Sequence, residues 1–165
     1  MTISVGEKLP DATFKTTADS GPKEVTTHDV FAGKKVVFFG VPGAFTPTCS
    51  NNHLPGFLEN RDAILSRGVD TIAVVAVNDQ HVMKAWAEAS GALGKIDFIA
   101  DGNAELARAL GLDKDFSGGG MGTRFARSAM IIRDGIADAV FIEDGRGVTT
   151  SGAPAILMAL EAANS

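Results

Sequence analysis

Residues 34–57 read KKVVFFGVPGAFTPTCSNNHLPGF. The run from Lys35 to Phe39 is short, apolar and rich in β-formers, and Gly40 and Pro42 end it, which predicts a buried strand. A loop pinned by Pro42 and Pro47 follows. Beyond it, residues 49–67 carry Leu54, Phe57, Leu58, Ile64 and Leu65 at roughly helical spacing, with Thr48 or a polar neighbour as cap and Gly68 as stop. Pro55 sits inside that pattern, so a kink or break is expected near it. Where the strand gives way to the helix stands Cys49, the chain's one cysteine. Open α/β sheets usually place their sites at such carboxyl ends of strands.

Reading outward, residues 71–77 (TIAVVAV) predict a second buried strand, with Asn78-Asp79 capping a helix over 80–90 around Trp86. A short strand at 97–100 and a helix at 104–110 come next. SAMIIR and IADAVFI flank Asp134-Gly135, a strong hairpin signal, and a last helix covers 153–163. The polar, turn-rich opening segment reads as short strands or a hairpin. The order gives an α/β chain with a central mixed β-sheet and helices on both faces, and it fits a thioredoxin-like fold with an N-terminal extension. Other small α/β sheets share the pattern.

A chain of 165 residues buries a sizeable core without crosslinks, and one domain spanning 1–165 is expected. A lone cysteine makes no internal disulfide, which fits a reducing compartment. There is no segment of signal-peptide character and no apolar run near the ~18 residues of a membrane helix, so a cytoplasmic location is expected. The formal net charge of −5 gives no general electrostatic reason to bind nucleic acid or an anionic membrane. One cysteine and three histidines form no metal-ligand motif, and no cofactor is expected.

A thiol in the first turn of a helix faces unpaired N–H groups and the positive end of the helix dipole, both of which favour the thiolate. The plain alternative is that Cys49 is a small buried hydrophobe; its polar, proline-rich setting argues against that. Thr46, three residues earlier, offers a hydroxyl to a thiolate or a substrate oxygen, or else satisfies backbone groups in a turn.

PGAFTPTC followed by SNNHLPGF resembles the peroxiredoxin signature P-x-x-x-T/S-x-x-C, in the branch called type II or peroxiredoxin V, whose cysteine segment runs into H-L-P-G-F. The likeness continues through residues 74–88 and 127–153, and so covers about residues 5–160. The resemblance implies Cys49 as peroxidatic cysteine, Thr46 as the hydroxyl that orients peroxide, Pro42 as the shielding proline and Arg127 as the strand arginine that pairs with thiolate and peroxide. Arg124 is a candidate for supporting that arginine. The implied activity is a thiol peroxidase for hydrogen peroxide and alkyl hydroperoxides, serving antioxidant defence and redox homeostasis through a sulfenic acid at Cys49.

Many members of this branch carry a second, resolving cysteine. Thr150 stands at the place of the animal-type one, and the segment before Val77-Asn78-Asp79 offers none of the plant type. An external reductant is therefore implied: glutathione with glutaredoxin, or thioredoxin. A homodimer is implied too, with an exposed apolar patch near Phe45 and Leu54. His53 reads as structural or interfacial rather than as a general base, because a histidine four residues along the same helix is an unusual partner for a hydrolytic cysteine. Rivals to the peroxidase are a redox-inactive thioredoxin-like binding module and a cysteine hydrolase or transferase. Phosphate binding at SGGGMG (117–122) lacks the G-K-[ST] ending of a P-loop; that segment reads as a loop.

Overall fold

The computed structural model describes residues 2–18, 21–48, 52–144 and 148–163, with the side chains of all but 17, 18, 21–23 and 163. Its strands are β1 (Thr13–Ala18), β2 (Gly21–Thr26), β3 (Lys35–Gly40), β4 (Thr71–Ala76), β5 (Asp97–Ala100), β6 (Asp113–Asp115), β7 (Thr123–Phe125), β8 (Ser128–Arg133) and β9 (Ile136–Ile142). Its helices are α1 (Thr27–Phe31), α2 (Leu54–Glu59), α3 (Arg61–Leu65), α4 (Gln80–Ala89), α5 (Glu105–Leu110) and α6 (Ala153–Ala163). Seven strands form a mixed sheet in the order β2-β1-β5-β4-β3-β8-β9, in which β3, β4 and β5 run parallel and the other pairings are antiparallel. Strands β6 and β7 make a separate two-stranded ribbon.

Alternation in β3 and β4 divides the core. Val37, Phe39, Ile72 and Val74 pack with α2, α3, α4 and α6 on one face. Val36, Phe38, Ala73 and Val75 pack with α1 and α5 on the other. Because successive side chains of a strand point to opposite faces, a continuous apolar run is what a strand covered on both faces requires. The thioredoxin-like α/β architecture expected from the sequence is therefore present, with the β1–β2 hairpin as the N-terminal extension. Among the described residues no helix is long and apolar enough to cross a membrane.

Pro55 behaves differently from the expectation. It lies in the first turn of α2, where its missing N–H and fixed φ cost nothing. The break falls at Asn60, between α2 and α3, whose side chain donates to the Gly56 carbonyl at 2.8 Å. Asn78 and Asp79 also divide their work. Asp79 caps α4, accepting from His81 and Val82 N–H, while the Asn78 side-chain Oδ1 accepts from Ala44 N–H at 2.9 Å and ties down the loop after β3.

Candidate active site

That loop leaves the carboxyl end of β3 in the middle of the sheet. Gly40, the last residue of β3, admits the ring of Phe125: a Cβ here would lie 2.3 Å from Phe125 Cδ1. Beyond it, Gly43 to Thr46 make a turn in which the Thr46 hydroxyl donates to Gly43 O at 2.7 Å. Phe45 adopts φ 63° within this turn, a conformation that costs a bulky side chain free energy and is met mostly at constrained functional loops. Pro47 and Thr48 are helical, and a π-type turn at residues 52–53 leads into α2. Cys49 lies outside the described residues, directly after Thr48 in the chain.

The loop forms one wall of a cleft of about 520 Å3, with Pro42, Thr46 and Thr48 among its lining residues. Phe116 and Met121, from either end of the glycine-rich loop, form an apolar wall, and Lys114 of β6 lies 5.4 Å above the Phe116 ring. Arg127, between β7 and β8, joins Pro42 and Thr46 in this cleft, as do Glu143 and Asp144 after β9. Three residues singled out from the sequence, Pro42, Thr46 and Arg127, thus converge on one cleft with Thr48, the last described residue before Cys49. Arg124 stands behind the cleft, donating to Met121 O at 2.8 Å and Val77 O at 3.4 Å. It fastens the glycine-rich loop. That loop, a 3-10 turn at Ser117–Gly119 ended by left-handed Gly120, opens no helix with a phosphate cradle.

His53 holds Arg127. Its Nδ1 is 3.1 Å from Arg127 Nη1, and its Nε2 is 2.8 Å from the Ser151 carbonyl. Guanidinium only donates and carbonyl only accepts, so Nδ1 accepts from Arg127 and Nε2 carries the proton that goes to Ser151. The ring is fully buried, with Phe39 and Phe57 centroids 4.9 and 5.6 Å away. Burial lowers its pKa, the Ser151 hydrogen bond opposes, Arg127 lowers it further and Glu143 raises it; the balance is about 4. His53 is therefore neutral at physiological pH, buried rather than interfacial, and committed to Arg127. Leu54 is likewise fully buried and offers no apolar patch, whereas Phe45 is 53% exposed.

Glu143 and Ser151 are the residues that sequence reasoning missed. The Glu143 carboxylate accepts from Thr149, Thr150 and Ser151 N–H at 2.8, 2.9 and 2.8 Å, and from the Thr149 and Ser151 hydroxyls at 2.6 and 2.7 Å. Burial raises its pKa, but the hydrogen bonds from Thr149 and Ser151 outweigh this and bring it down to about 2. The only local hint is an acid just after β9 with Thr-Thr-Ser six residues further on, at 149–151. Among the described residues no group of histidine and acidic side chains is arranged to hold a metal.

A thioredoxin-like sheet with an arginine cleft at the end of β3 defines the class as thiol redox proteins. The Redoxin family model matches residues 4–157. Peroxiredoxin-2E-2, chloroplastic, of Oryza sativa subsp. japonica is 49% identical over 96% of this chain and 73% of its own length. The reduced Prx3 of Vibrio vulnificus, solved in complex with H2O2, superposes with a TM-score of 0.92 at 45% identity, over 96% of this chain and 99% of that one. The Plasmodium falciparum antioxidant protein, a 1-Cys peroxiredoxin, superposes with a TM-score of 0.91 at 26% identity, over 97% and 99% of the two chains. The chain belongs to the peroxiredoxin family, in its type II or peroxiredoxin V-like branch, and is a thiol peroxidase.

Proposed function

We propose that Cys49 is the peroxidatic thiol and that this enzyme works with that cysteine alone, regenerated by an external thiol. The observation that carries this is the convergence of Pro42, Thr46 and Arg127 on one cleft next to the chain's single cysteine. The sulfur lone pair of the Cys49 thiolate attacks one oxygen of hydrogen peroxide or an alkyl hydroperoxide. An S–O bond forms, the O–O bond breaks, and the leaving oxygen departs as water or alcohol once protonated. Negative charge moves from sulfur to that oxygen, so fixed donors accelerate the step more than a lowered thiol pKa does, because nucleophilicity falls with pKa. Arg127 is the donor fixed for this task. The Thr46 hydroxyl donates its hydrogen bond to Gly43 O, which leaves its oxygen to accept from the peroxide O–H and hold that hydroxyl oxygen against sulfur, so that the other oxygen, bearing hydrogen or the alkyl group, is the one that leaves.

The sulfenic acid is then condensed with an external thiol, releasing water, and a second thiol frees Cys49 from the mixed disulfide. Two features support this: no second cysteine exists in the sequence, and the Plasmodium falciparum relative is a 1-Cys peroxiredoxin. Glutathione with glutaredoxin is the proposed reductant, and thioredoxin the alternative. The enzyme is further proposed to be a cytoplasmic homodimer, with exposed Phe45 at the contact.

The test is stopped-flow oxidation of the reduced protein by hydrogen peroxide beside a Cys49→Ser variant, then turnover with glutathione plus glutaredoxin or with thioredoxin. A second-order rate orders of magnitude above free cysteine, lost in the variant, is expected, with turnover on glutathione and glutaredoxin. Reaction no faster than free cysteine would make the chain a binding module that keeps only the family's fold.

A further inference from the structure

The hydrogen bonds around Arg127 close into a ring. Arg127 donates to His53 Nδ1, and His53 Nε2–H donates to the Ser151 carbonyl. Ser151 gives both its N–H and its hydroxyl to the Glu143 carboxylate. The Glu143 N–H returns to the Arg127 carbonyl at 3.0 Å. The ring draws on the residue after β9, the residue before β8, the turn before α2 and the loop before α6. His53, Ser151 and Glu143 are 0%, 0% and 8% exposed, so water competes little for its bonds.

Glu143 is the one charged acceptor in the ring and the one that fixes a loop. Its Oε2 atom sits among three successive backbone N–H groups, those of Thr149, Thr150 and Ser151. Successive N–H groups converging on an anion form a nest. With the two hydroxyls added, Oε2 receives four hydrogen bonds and Oε1 one, from the Thr149 hydroxyl. Two consequences follow. The position of the Ser151 carbonyl, and through it the His53 ring, is set by Glu143. The acid's charge is also spent on the loop, though it lines the same cleft as Arg127, where an unsatisfied carboxylate would oppose a thiolate.

We propose that Glu143 is a positioning residue for peroxide reduction: through Ser151 and His53 it fixes the Arg127 guanidinium in the reactive cleft. This rests on Cys49 and Arg127 acting as described under Proposed function. An amide in place of the carboxylate presents one neutral acceptor oxygen and an NH2 to a set of five donors, so the loop rearranges and the ring opens. A misplacement on the order of 1 Å at a reacting group costs up to about a hundredfold in rate.

The test is a double-mutant cycle on the second-order rate constant for peroxide, using Glu143→Gln, Arg127→Ala and the double variant, with Cys49→Ser as reference. Rapid oxidation of the wild type that Cys49→Ser abolishes establishes the underlying reading; its absence overturns that reading and the proposal with it. Given that reaction, Glu143→Gln is expected to slow it about tenfold to a hundredfold in the presence of Arg127 and to add nothing in Arg127→Ala. Equal slowing in both backgrounds would make Glu143 merely structural and overturn the proposal, as would no slowing at all. If Glu143→Gln shows no cooperative thermal transition, Ser151→Ala, which removes one hydroxyl donor, replaces it in the same cycle with the same two outcomes.

Discussion

Beside the stacked rings of Phe39 and Phe57 the His53 ring is out of water, and its nitrogens do opposite jobs: one accepts from a cation and the other donates to a carbonyl. Burial disfavours the charged ring above all, and a proton on Nδ1 would also set imidazolium against guanidinium, so the pKa stands near 4. In the unfolded chain the same group titrates near 6.5. Between those values the unfolded chain binds a proton that the native protein does not, so native stability is full above pH ~6.5 and falls as pH drops toward ~4. The loss is at most about 3 kcal/mol at 1.36 kcal/mol per unit. Glu143, whose pKa is depressed from 4.5 to about 2, adds a loss at lower pH, between those two values. Thermal melts of wild type and His53→Phe from pH 7 to 4.5 check this: the wild type is expected to lose more stability over the window than the variant, and equal slopes would refute the shift. In the sequence, Pro42 and Thr46 were legible because one signature names them, and Arg127 only through the family likeness over residues 127–153. The role of His53 was not, since its partners lie 74 and 98 residues away and meet it only once the sheet has formed.

Elements were legible where a local rule left one choice. The apolar runs of β3 and β4, the Asp79 cap of α4 and the Asp134-Gly135 turn of the β8–β9 hairpin all depend on neighbours in sequence. At that turn both residues take positive φ, 50° and 78°, as a two-residue hairpin loop demands. Pro55 shows the limit: proline inside a helical pattern reads as a break, but the same residue is well suited to a first turn, and only the actual start of α2 decides between them. Gly40 is a second case. A glycine ending a strand reads as punctuation, whereas in the fold it makes room for Phe125 from the β7 strand that leads to Arg127. A methyl group at 2.3 Å from Phe125 Cδ1 must displace a fully buried ring. Gly40→Ala is therefore expected to lower stability by about 1–3 kcal/mol, the range for overpacking a core. Because Ser128 pairs with Gly40, the displaced β7–β8 junction should also slow peroxide reduction. Denaturant unfolding with stopped-flow oxidation checks both; unchanged stability would mean that the ring finds another rotamer at little cost.

For the whole molecule, the sheet order and the cleft follow from how β3, β8 and the loops around them are brought together, and the chemistry follows from a count. Strand order was not readable, since nothing local sets β1 beside β5 or joins β6 to β7 in a separate ribbon. The count was readable at once: one cysteine in 165 residues excludes an intrachain disulfide in every conformation. A second cysteine within reach protects a sulfenic acid by condensing with it to a disulfide. In the proposed one-cysteine cycle the sulfenic acid waits for a thiol from solution, and its lifetime is set by that thiol's concentration and its access to the cleft. While it waits, a second peroxide oxidises it to sulfinic acid, which ordinary thiols do not reverse. The two reactions compete for one intermediate, so the sulfinic fraction should rise with the ratio of peroxide to reductant and not with peroxide alone. Mass spectrometry of protein given excess peroxide is expected to show sulfinic acid at Cys49 without reductant. It should show progressively less as glutathione and glutaredoxin are added at constant peroxide. A sulfinic yield that ignores the thiol would mean that the reductant never reaches the sulfenic acid, and the external-thiol cycle would fail.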